Sequence, residues 1–174
     1  MNEMKKEMET LIEDSRFNLV DYTLYYSEIL DWCVDENECR FIVRLNHFFN
    51  EQIPEGEERI VAVVFEDWDE IILNTVRARG GRAEDGFNKF YKDKFPIILS
   101  IGVSQEGAGW SFLFFFDMFD HLTLLTKTLP KCYKMNEYSP SGERFRCADA
   151  LCKTWENSEG DTFKYSLKIT KKTE

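Results

Sequence analysis

Two histidines, His47 and His121, are the first residues to weigh for chemistry. His121 closes the run Asp117-Met118-Phe119-Asp120-His121. On a helix, Asp117 and His121 would stand four residues apart on one side. A carboxylate that orients an imidazole is how a general base or a metal ligand is built. The competing reading makes Asp117 a helix N-cap and His121 a boundary residue. A metal centre would need further ligands, and none is marked at ligand spacing. Cys132 lies between Lys131 and Lys134, just past Pro130, where positive charge could lower a thiol pKa. No GxSxG, HExxH, GxxxxGK[ST] or paired CxxC occurs. His121, Asp117 and Cys132 are therefore the only catalytic candidates, the reading leans away from an enzyme, and neither metal nor cofactor is implied.

Anion binding has a better sequence basis. Arg77, Arg79 and Arg82 surround Gly80-Gly81. Guanidinium forks and open backbone amides suit a phosphate or an acidic strip. Phe87, Lys89, Phe90, Tyr91, Lys92 and Lys94 come next. Basic residues interleaved with rings suit single-stranded nucleic acid. The net charge of −10 opposes this, since one patch must overcome phosphate repulsion.

The charge is unevenly placed. Residues 1–70 carry 19 acidic and 6 basic side chains, a net of −13, whereas 71–174 have a net of +3. Glu51–Glu70 holds eight carboxylates, Glu57, Glu58, Asp67 and Asp69 among them, against Arg59 alone. Glu28, Asp31, Asp35, Glu36 and Glu38 form a second group. Trp32 and Trp68 fall inside these groups, and an aromatic among charges is a common interface anchor. If the groups converge, their face attracts a basic partner with a fast, salt-sensitive on-rate.

The elements that must position these residues are read from periodicity. Residues 3–14 have helical spacing, as does Asp85–Lys94, and Asp117 or Asp120 could cap a helix over Leu122–Leu129. Phe17–Tyr26 and Cys39–Leu45 alternate as strands, with a turn at 35–38 between them. Ile60–Phe65 is wholly apolar, as a buried central strand requires. Asp67–Arg79 fits helix or strand. Ile97–Val103 and Trp110–Phe116 form a hairpin, Phe145–Trp155 is a strand, and Phe163–Ile169 alternates strictly. This predicts a single α+β domain over 1–174, with a mostly antiparallel sheet of six to seven strands and two to three helices. Fifteen Phe, 7 Tyr and 4 Trp supply its core.

No run approaches the ~18–20 apolar residues of a membrane span, and the charged start lacks the apolar stretch of an export signal. Five cysteines, an odd number without a CxxC pair, fit reduced thiols. The expectation is a cytoplasmic protein without a membrane partner. The leading functional reading is a non-catalytic module of inhibitor or immunity type that occludes a basic surface through Trp32, Glu57, Glu58, Asp67, Trp68 and Asp69. The alternative is a small-molecule-binding or enzymatic domain using Arg77, Arg79 and Arg82 or the Asp117/His121 pair. The third is a single-stranded nucleic-acid binder through residues 77–94.

Overall fold

Ile60-Val61-Ala62-Val63-Val64-Phe65 is β-branched and apolar at nearly every position, so it forms a strand that needs cover on both faces. It receives it. All six residues are buried in β4 (Ile60–Phe65), deep within one of two six-stranded sheets. The computed structural model describes residues 9–11, 23–75, 88, 94–117, 120–135, 138, 143–157 and 165–172.

The first sheet joins β1 (Glu9–Leu11), β9 (Lys131–Met135), β4, β3 (Cys39–Arg44), β2 (Glu28–Val34) and β10 (Phe145–Cys147), in that spatial order. Its pairs are antiparallel except β10 on β2, where Phe145 lies opposite Trp32. The second runs β11 (Cys152–Asn157), β12 (Tyr165–Thr170), β5 (Trp68–Thr75), β8 (His121–Thr126), β7 (Gly109–Phe116) and β6 (Ile98–Glu106), antiparallel throughout.

The sheets pack face to face through rings. Phe41 meets Phe114 at 5.3 Å between centroids, and Phe65 meets Phe112 at 5.0 Å. Around them lie Trp32, Trp68, Leu73, Leu124, Phe145, Leu167 and Ile169, all buried. A smaller apolar cluster covers the outer face of the first sheet, where Leu30, Ile42, Ala62 and Val64 are topped by Phe95, Met135 and Tyr138.

The α+β expectation is overturned: the described residues form twelve strands and no helical element. The helix expected over Leu122–Leu129 is instead β8 with the bend after Thr126. Leu122, Leu124 and Thr126 alternate inward with period two, and β5 and β7 pair on either side. Those ladders outweigh the local helical spacing of the leucines. Glu9–Leu11, expected inside a helix, is a strand on β9. Asp67–Arg79 resolves as strand through Thr75. Phe145–Trp155 is two strands broken by a turn at Ala148–Leu151, where the Leu151 amide donates to the Ala148 carbonyl at 3.1 Å. The helix expected over 85–94 lies outside the described residues except for Asn88 and Lys94. Among the described residues no helix is long and apolar enough to cross a membrane.

Candidate functional site

Among the described residues four large rings lie at the surface, Tyr25, Tyr26, Phe48 and Phe49, and Phe48 is 80% exposed. They are one patch. Tyr26 stacks on Phe49 at 5.2 Å, Tyr25 meets both edge-on at 4.7 and 5.2 Å, and Phe48 meets Phe49 at 5.0 Å. Consecutive residues of a strand point to opposite faces, so a Tyr-Tyr or Phe-Phe pair cannot lie wholly in one core. Here both pairs sit in turns.

Three short polar side chains hold those turns together. Fully buried Asn50 accepts from the Thr23 amide at 2.8 Å, and its Nδ2 donates to the Thr23 and Asn46 carbonyls at 3.0 and 2.8 Å. Asn46 Oδ1 accepts from the Phe48 amide at 2.8 Å. Buried Ser27 accepts from the Asn46 amide at 3.2 Å. Tyr26 has a φ of +57°, a left-handed conformation that costs a non-glycine residue about 1–2 kcal/mol. Its amide donates to the Ile98 carbonyl at 2.8 Å. The patch is thus held in place by the fold's own hydrogen bonds. Asn50→Ala is expected to lose about 2–3 kcal/mol of stability, because it leaves the Thr23 amide and two carbonyls without their partner. Urea unfolding measures it.

Carboxylates follow the Phe48-Phe49 turn in the chain. An open basin of about 500 Å³ is lined by His47, the neighbour of Phe48 in the chain, and by Glu51, Ile53, Glu55 and Gly56. Glu58 and Glu28 are held by Arg44, at 3.2 and 3.4 Å. Among the described residues no cation pairs with Glu51, Glu55 or Glu57, and all three are exposed.

The predicted acidic face does not form as one surface. Glu57 and Glu58 precede β4 and Glu66 and Asp67 come after it, so they stand at opposite ends of a six-residue strand, about 20 Å apart. Register puts the 35–38 turn with the second group, since Cys39 lies opposite Phe65. That end is also partly neutralised, with Asp69 near Lys127 at 3.8 Å and Glu66 near Lys131 at 3.4 Å. Trp32 and Trp68 are core residues rather than anchors, 2% and 0% exposed. Trp32 lies between Phe41 and Phe145, and its Nε1 donates to Cys39 Sγ at 3.3 Å. Trp68 Nε1 donates to the Asp35 carbonyl at 3.0 Å.

The catalytic candidates have structural posts. Asp117 directly follows the last residue of β7, and His121 is the first residue of β8, so the two do not share a helix face. Asp117 Oδ1 accepts from the Ile97 amide at 2.9 Å, tying the end of β7 to the start of β6. His121 sits on β8 with its ring 4.3 Å from Phe115. Partial burial lowers its pKa from the ordinary imidazole value, against an opposing pull from Asp120. A lowered pKa means the unfolded chain binds the proton first. The contribution is present above the unfolded-state value, about 6.5, and is lost as pH falls through the folded one. His121→Gln is therefore expected to flatten the fall in urea midpoint between neutral pH and mild acid. Cys132 is buried in the core, which pushes its thiol pKa upward, the opposite of activation. Arg77, Arg79 and Arg82 lie outside the described residues.

A second polar constellation clamps the fold. Asp31 on β2 accepts from Arg146 Nη2 at 2.7 Å and from the Tyr138 hydroxyl, fixing parallel β10 and residue 138 to the sheet. Among the described residues no three His, Cys, Asp or Glu side chains group as a metal site. No protein-family model matches this chain, and no curated protein or solved structure was found similar to it.

Proposed function

We propose that the protein is a non-catalytic interaction module that docks a basic partner at its Tyr25, Tyr26, Phe48 and Phe49 end. The observation that carries this reading is the prearranged four-ring patch, with Glu51 and Glu55 exposed in the basin that His47, the neighbour of Phe48, also lines, and with exposed Glu57 two residues further along the chain. Rings supply desolvated area at low entropic cost and attract cationic side chains over their faces. Surrounding carboxylates steer a positive surface into place. This keeps the acidic, inhibitor-like reading of the sequence and moves its anchor from Trp32 and Trp68 to the patch.

The test is capture of partners from the native host on immobilised protein, released by a salt gradient. A basic protein should elute at moderate salt. Its on-rate should fall about tenfold for the triple Glu51→Gln, Glu55→Gln, Glu57→Gln variant, with a smaller change in off-rate. A partner whose association ignores both salt and these carboxylates would refute the reading.

A further inference from the structure

At its first residue β6 touches the aromatic patch, through the bond from the Tyr26 amide to the Ile98 carbonyl. At its last, Glu106, about 25–30 Å along the strand, a basin of about 470 Å³ opens where the β6–β7 hairpin turns beside the end of β8. Its walls are mostly apolar, and Trp110 and Leu125 are the large side chains in them.

Three local features shape the basin. At Gly109 a Cβ would lie 2.5 Å from the Thr126 carbonyl oxygen, so glycine is what lets the hairpin close down on the end of β8. The ladder of β5 on β8 shifts between Trp68 and Glu70, which leaves Asp69 as the extra residue of a bulge. A bulge re-aims a side chain, and exposed Asp69 lines the basin. Trp110 is half-buried and packed against the main core, which holds its ring in place.

The charges are unequal. Asp69 and Lys127 form a loose, well-exposed pair at 3.8 Å. Glu106 is exposed, and no cation pairs with it among the described residues. The lining therefore holds two carboxylates against one ammonium, in a chain of net −10. An indole attracts a cation over its face, and more strongly than any other side chain does.

We propose that this basin binds a small organic cation, an ammonium group carried on an apolar body about the size of an aromatic ring. The ammonium goes to Glu106 and Asp69, and the body lies against Trp110 and Leu125. Size favours a free molecule over one lysine side chain, because the volume falls within the roughly 300–1,000 Å³ of small-molecule sites. A neutral molecule of the same shape gains the walls alone, and an anion meets two carboxylates.

Three probes of one size separate charge from shape: phenethylammonium, phenethyl alcohol and phenylacetate, each titrated into the isotope-labelled full chain at low salt and followed by amide and indole resonances. Phenethylammonium should saturate, shifting the Trp110 indole N–H and the Gly109 and Lys127 amides. The alcohol should bind about tenfold more weakly, and phenylacetate should shift nothing. Glu106→Gln should weaken the ammonium about threefold or more, and Lys127→Gln should strengthen it. Both side chains are exposed, so unfolding temperatures should match the wild type. Equal binding of ammonium and alcohol would mean an unselective apolar surface and overturns the proposal. So does an ammonium that never saturates, or one indifferent to Glu106→Gln. Shifts confined to Tyr25, Tyr26, Phe48 and Phe49 would assign the cation to the aromatic patch, and also overturn it. Phe48→Ala should leave phenethylammonium binding unchanged, so this site and the docking of a basic partner are tested independently.

Discussion

Trp68→Ala is expected to cost about 3–5 kcal/mol of folding free energy, the range for removing a large ring from a packed core. For a chain of this size that is roughly 6–20 °C in Tm. The residue is fully buried on β5, and its indole N–H reaches across to the Asp35 carbonyl in the β2–β3 turn of the facing sheet. Truncation therefore opens a cavity and also cuts a hydrogen bond between the sheets. Trp68→Phe separates the two effects. It keeps most of the ring, leaves the Asp35 carbonyl without its donor, and should cost about 1–3 kcal/mol. Urea unfolding of both variants measures the difference. A loss below about 1 kcal/mol for the alanine variant would mean that this side chain does not join the sheets.

Phe48→Ala and Phe49→Ala are expected to act in the opposite sphere, on binding more than on stability. Phe48 is 80% exposed, so its removal should change stability by no more than about 0.5 kcal/mol. On the proposed docking reading each is a central ring of the contact surface, and its loss should weaken binding by at least about 2 kcal/mol, roughly 30-fold in Kd. Calorimetry against the captured basic protein gives both quantities. Unchanged affinity in the two variants would place the contact elsewhere, however strong the salt dependence.

Much of the strand pattern was legible because it depended on local alternation. Cys39–Arg44, Ile60–Phe65, the β6–β7 hairpin and the alternation ending at Thr170 all emerge as strands. β8 did not, because Leu122 and Leu125 sit at helical spacing and only pairing with β5 and β7 settles the matter. The tryptophans misled for a related reason. Asp67-Trp68-Asp69 reads as a ring in an acidic setting, yet in a strand it is an out-in-out alternation, and the burial agrees with it. The true surface rings were missed although Asn46-His47-Phe48-Phe49-Asn50 carried a signal. Asparagines on both sides mark a turn, and two adjacent phenylalanines in a turn have no common core to enter. That Glu57 and Glu66 part to opposite ends of β4 follows from the Ile60–Phe65 strand itself, whereas the end that the 35–38 turn joins depends on the β3–β4 register, which composition does not contain.

The clamp of Asp31 by Arg146 joins residues 115 apart in the chain. Much of the first sheet must therefore wait for distant segments: β4 needs β9, and β2 needs β10, before either has neighbours on both sides. Loop closure over such spans precedes the contacts that reward it, so folding belongs to the slow, millisecond-to-second class. During that wait the wholly apolar β4 is the segment most open to aggregation, which makes synthesis rate and temperature the controlling variables for yield.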